Sequence, residues 1–108
     1  MKEKDIEEHL CKRVRELGGD VRKVQWIGRK GAPDRLVMLP EQTPEQAQFP
    51  FGRKARTIWV ELKAPGLAAL FPHTPHERQQ HREHERMRAM GQRVVVIDSF
   101  EGVESLLA

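Results

Sequence analysis

One cysteine, Cys11, is all that 108 residues contain. No internal disulfide can form, and such sparse use of cysteine suits a reducing compartment. Long apolar runs are also missing: nothing approaches the roughly 20 residues that cross a bilayer. The opening MKEKDIEEHL lacks the apolar core of a secretory signal, so a soluble protein of the cytoplasm is expected. There is no internal repeat, low-complexity tract or linker, which leaves one domain over residues 1–108. A chain this short buries little core, and self-association is a common remedy, so a homodimer is expected.

Charge, by contrast, is plentiful. Nineteen Lys and Arg face sixteen Asp and Glu, for a net charge of +3, a balance that favours an anionic partner without identifying it. Between Lys2 and Leu17, the apolar residues Ile6, Leu10, Val14 and Leu17 recur at helical spacing, and Gly18-Gly19 follows as a stop. Val21–Ile27 alternates as a strand, GRKGAP turns, and Asp34–Leu39 makes a second strand. Residues 40–56, with three prolines and a basic GRKAR end, read as a long connection. TIWVELK, Thr57 to Lys63, is rich in β-branched and aromatic residues and predicts a third strand. A second helix opens on Thr74 as N-cap, with Pro75 at the first helical position and Glu77 three residues after the cap, and closes at Gly91. RVVVID, Arg93 to Asp98, is a buried strand, and SFEGVESLLA ends in a short helix. The predicted order is α-β-β-β-α-β: an antiparallel meander, then a crossover to a parallel strand, giving a mixed α/β sheet flanked by helices.

Charges interrupt this apolar pattern at chosen places. Strand alternation sets Trp59, Glu61 and Lys63 on one face and Ile58, Val60 and Leu62 on the other. If the second and third strands pair with Asp34 near Glu61, two carboxylates and an ammonium meet at one end of the sheet. Carboxylates gathered there repel one another and lose hydration unless a cation joins them. Oxygen ligands suit Mg²⁺ or Mn²⁺, which polarise a phosphoryl group and lower the pKa of an attacking water. The plainer alternative is a Glu61–Lys63 ion pair on a solvated face, with Asp34 a turn residue after Pro33.

On the second helix Gln80, His84, Met87 and Met90 share a face predicted to point inward, Gln79 being the alternative to Gln80. His73, His76, His81 and His84 lack a cysteine partner, and a solvated His-rich helix accounts for them better than zinc. Arg78, Arg82, Arg86 and Arg88 alternate with Glu83 and Glu85 and read mainly as a salt-bridged exposed face. Arg29, Lys30 and Arg35 crowd around Asp34 with little acid to balance them and are candidate phosphate contacts. GRKAR is a candidate second contact, and Trp26 and Trp59 read as core or dimer-contact residues.

GAPDRLV, then WVELKAPG, then a Gln-bearing helix ending RMRAMG before RVVVID, resembles the virus-type replication-repair nuclease (VRR-NUC) domain of the PD-(D/E)xK superfamily. The likeness covers nearly the whole chain. It implies a restriction-endonuclease-like core and Mg²⁺- or Mn²⁺-dependent cleavage of DNA. Short members of phage type imply a homodimer acting on branched DNA, Holliday junctions included, inside a phage-infected or bacterial cell. The resemblance makes Asp34 and Glu61 metal ligands, Leu62 a further ligand through its main-chain carbonyl, Lys63 the catalytic lysine, and Gln80 a holder of water or phosphate. It also implies a carboxylate on the first helix. Glu3 lies within the apolar stripe and Glu7 at its edge, so Glu3 is favoured and Glu7 kept as the alternate. The connection between Asp34 and Glu61 is longer than the family usually has. A catalytically silent DNA- or partner-binding module on the same fold is the rival function.

Overall fold

The computed structural model describes residues 1–47 and 49–108. Helix α1 spans Glu3–Glu16, followed by strands β1, Asp20–Lys23, and β2, Arg35–Leu39. A short helix α2, Pro44–Ala47, precedes β3, Arg56–Leu62. Then come α3, Pro75–Ala89, β4, Val94–Ile97, and α4, Phe100–Leu107. The strands lie in chain order in one sheet, with β1–β2 and β2–β3 antiparallel and β3–β4 parallel. The mixed sheet flanked by helices is the one predicted.

Alternation along β3 divides the molecule. Ile58 and Val60 are fully buried, and with Leu62, Val37 and Leu39 they pack against Ile6, Leu10 and Val14 of α1 and Val103, Leu106 and Leu107 of α4. At this face one apolar stripe per helix meets one apolar side of the sheet. Helix α1 stops at Gly18, whose φ of +83° supplies the left-handed turn that a Cβ would resist. The α1–α4 pair is also joined at its rim, where Glu104 accepts from Arg13 Nε at 3.0 Å and contacts His9 Nε2 at 3.0 Å.

Helix α3 covers the other face. Thr74 Oγ1 accepts from the Glu77 amide at 3.1 Å, and Glu77 Oε1 accepts from the amides of Thr74 and His73 at 3.2 and 3.0 Å. Those two backbone donors, with Lys63 behind them, hold the Glu77 carboxyl below the usual range. The buried residues of α3 are Gln80, Glu83, His84 and Met87, so polar side chains supply most of this interface.

Several expectations need correction. Strand β1 starts earlier and is shorter than 21–27: it pairs from Asp20 to Lys23, the amide of Val24 still donates to the Asp34 carbonyl, and the chain then leaves the sheet. Ile27, beyond that departure, is almost fully exposed. Met90 does not face inward; it is the C-cap residue of α3 and two-thirds exposed. The connection 40–56 carries local order, because Gln42 and Arg53 exchange backbone hydrogen bonds that extend the β2–β3 hairpin. Thr43 and Gln46 cap α2 reciprocally. In the GRKAR segment, the Arg56 guanidinium is engaged by the Leu107 carbonyl at 3.1 Å. Gln48, within that connection, lies outside the described residues.

Candidate active site

Register brings the acidic residues together. Arg35 pairs with Val60 and Leu36 with Trp59, so one further step along the ladder sets Asp34 opposite Glu61. The start of α1 crosses this end of the sheet. Glu3, Glu7, Asp34, Arg35, Glu61 and Leu62 line a pocket of about 200 Å³. Both first-helix candidates are therefore at the pocket, and so are Asp34, Glu61 and Leu62.

Arg35 sits among these acids. Its guanidinium contacts Asp34 Oδ1 at 2.9 Å and Glu7 Oε2 at 3.2 Å, with only 12% of the side chain exposed. Burial disfavours its charge, but hydrogen bonds and charge from Glu7 and Asp34 prevail and hold it more firmly protonated. Arg35 thus balances acid inside the pocket, where the sequence suggested an unbalanced surface cation. Arg29, another expected phosphate contact, pairs with Glu83 at 3.4 Å. Arg29 and Lys30 line a separate cavity between the β1–β2 connection and α3.

Glu61 is buried, and its partner is His84, with Nε2 3.3 Å from Oε1. His84 has no exposure and stacks on Phe71 at a centroid distance of 5.7 Å. Its Nδ1 is the buried side-chain polar atom that finds no partner among the described residues. The plain Glu61–Lys63 ion pair does not occur. Lys63 Nζ instead donates to Gln80 Oε1 at 2.7 Å, contacts Glu77 Oε2 at 3.3 Å and lies 5.2 Å from the centre of the Phe71 ring.

Gln80, not Gln79, is buried against Lys63. Among the described residues no group of three His, Cys, Asp or Glu side chains is set to hold a metal ion. The donor chemistry of the pocket nevertheless suits a hard divalent cation, since carboxylates from α1, β2 and β3 converge there and already draw in Arg35. Sequence reasoning missed the pairings of Glu61 with His84 and Lys63 with Glu77. The position of His84 four residues after Gln80, on the same helical face, is the signal that pointed to the first.

A mixed sheet with acidic residues at a strand end, an E-x-K on the adjoining strand and a helix laid across its polar face defines a restriction-endonuclease-like α/β protein. A solved structure described as a VRR_NUC domain matches with a TM-score of 0.68 and 33% identity, covering 97% of this chain and 92% of that one. "Putative nuclease p44" of Acyrthosiphon pisum secondary endosymbiont phage 1 is 40% identical over 99 residues, which are 92% of this chain and 85% of that protein. No family model matches. The chain belongs to the VRR-NUC family of nucleases. No helix among the described residues is long and apolar enough to cross a membrane.

Proposed function

We propose that residues 1–108 form one nuclease domain, a divalent-cation-dependent endodeoxyribonuclease that hydrolyses phosphodiester bonds in branched DNA as a homodimer in the cytoplasm. The observation that carries this reading is the shared pocket of Glu3, Glu7, Asp34 and Glu61, with Lys63 directly after the Leu62 that lines it. Branched DNA, four-way junctions included, and the dimer rest on the likeness to phage-type members of the family.

In this reading Asp34, Glu61, the Leu62 carbonyl and a first-helix glutamate, Glu3 or Glu7, hold Mg²⁺ or Mn²⁺. The ion supplies Lewis-acid polarisation of the scissile phosphate and a lowered pKa for the attacking water. Arg35, which pairs with Asp34 and Glu7, would be released from them if those carboxylates held the ion. Lys63 acts as a donor, because both partners of its Nζ, Gln80 and Glu77, are acceptors; it stabilises charge that develops on the phosphate. With its amide oxygen on Lys63, Gln80 has its NH₂ end to offer a phosphate oxygen. His84 fixes the Glu61 carboxylate from behind. Arg29, Lys30 and, once released, Arg35 contact DNA phosphates.

Flaps, splayed arms, four-way junctions and plain duplex, each incubated with Mg²⁺, Mn²⁺ or a chelator, test the proposal. Cation-dependent cuts that favour branched substrates are expected, with a dimer mass by light scattering. Undiminished cleavage by highly purified Lys63→Ala protein would overturn the assignment. A second reading, a silent DNA-binding module, is favoured by one observation: Arg35 already occupies Asp34 and Glu7. It predicts DNA band shifts with no product at any cation concentration.

A further inference from the structure

A second cavity lies apart from the pocket of Glu3, Glu7, Asp34 and Glu61. Residues 28–31 of the β1–β2 connection press against α3 so closely that a Cβ at Gly31, where φ is +81°, would stand 3.0 Å from the Gln79 carbonyl oxygen. The cavity beside this contact is about 590 Å³ and is lined by Trp26, Arg29, Lys30, Arg82, Glu83 and Arg86, among others. That volume falls within the range of about 300–1,000 Å³ typical of small-molecule pockets.

Its walls are built as well as charged. Glu83 is buried, and its carboxylate meets Arg29 Nε at 3.4 Å and Arg86 Nη1 at 3.0 Å, so one internal acid fixes guanidinium groups from two chain segments. Among the described residues no ion pair engages Lys30 or Arg82, and cations outnumber acid in the lining. Trp26 supplies an aromatic surface. Its Nε1 donates to the Pro33 carbonyl at 2.8 Å, it packs on Trp59 at a centroid distance of 5.2 Å, and 37% of it remains exposed. A fixed indole beside free cations favours a group that offers both a flat apolar face and a phosphate.

We propose that this cavity seats an unpaired nucleotide of the DNA strand, its base against Trp26 and its phosphates among Lys30, Arg82 and the Glu83-braced arginines. A base inside a duplex has both faces covered by its neighbours, so the indole needs a base that is unpaired or at a duplex end. The inference rests on the nuclease reading and deepens it. Trp26 is tied to Pro33, the residue before Asp34, while α3 carries the cavity wall on one side and Gln80 and His84 on another. A strand entering the cavity is thereby delivered beside the carboxylate pocket. In a branched substrate, the unpaired residues at the branch are what the cavity recognises.

The chain has two tryptophans, so Trp59→Phe leaves Trp26 as the one indole reporter. Titrated with a short oligothymidylate in the presence of chelator, this protein should show quenched fluorescence; inorganic phosphate and relaxed, covalently closed circular duplex, which has no ends, should not quench it. With a dye-labelled oligothymidylate, Trp26→Ala and, separately, Arg82→Glu should each weaken binding about tenfold. Arg82 is exposed, which keeps that arm valid if the tryptophan variant fails to fold. Asp34→Asn should retain the quench. Absence of quenching, equal quenching by phosphate alone, or unchanged affinity in Arg82→Glu would overturn the inference. Cleavage of DNA without quenching would sink this inference and leave the nuclease reading intact, whereas quenching without cleavage would do the reverse.

Discussion

The two faces of the sheet are made by alternate residues of the same strand, yet they obey different rules. Toward α1 and α4, β3 presents Ile58, Val60 and Leu62, and the contacts are apolar. On the α3 side it presents Trp59 and Glu61, continued by Lys63 just past its end; these meet Gln92, in the turn after α3, and His84, Gln80 and Glu77 of α3 through named hydrogen bonds or ion pairs. Apolar burial is non-directional and tolerates modest repacking. A buried polar network loses heavily if one member is removed, because the remaining partner is left desolvated. Under the proposed function, the contrast would put stability mainly on the first face and chemistry at the polar face and the adjoining sheet end.

The strongest way to break that division is at the acids. Asp34→Asn should lower cation-dependent cleavage about 100-fold or more in a labelled-DNA assay while moving the melting temperature little. A variant that melts far lower with proportionate activity would move the residue into the structural class. The converse change is Ile58→Ala. It should cost about 2–5 kcal/mol of stability in a denaturant titration, with cleavage per folded molecule retained at low temperature. His84→Ala belongs to both classes. It leaves Glu61 without its partner and should cost about 1–3 kcal/mol, while cleavage or cation affinity falls about tenfold or more; Ile58→Ala should not shift cation affinity.

The smallest effect sharpens the comparison through pH. The folded Glu77 carboxyl is depressed chiefly by the His73 and Thr74 amides. Its contribution is therefore present above the ordinary carboxylate range and is lost as pH falls through the depressed folded value. Glu77→Gln should melt below the parent at neutral pH, and the difference should vanish in strong acid. Melting curves across that range would check it.

Much of this was legible because it is local. The stripe Ile6, Leu10, Val14 is fully buried, the Thr74–Glu77 cap forms, and β3 alternates as its residue types require. The opposition of Asp34 and Glu61 stands in the sequence only as a condition on how two strands pair; the β2–β3 register meets that condition. Partner choice was not. Whether Lys63 turns to Glu61 or to Glu77, and whether Glu83 faces solvent or Arg29, depends on how α3 docks, and no short window of sequence contains that. One local signal lies inside the connection: Thr43-Pro44-Glu45-Gln46 repeats the Thr-Pro cap pattern of α3 and forms the single turn of α2 despite the prolines around it.

Arg35 carries a consequence for the order of events. Its positive charge reconciles Asp34 with Glu7, so that pair of acids needs no cation to relieve its repulsion. Under the proposed cation dependence, assembly and ion loading would be separate events, unlike in domains that collapse only around their zinc. If the proposed site takes a cation, chelator should abolish cleavage without melting the protein, and Arg35→Gln should fill at lower cation concentration than the parent.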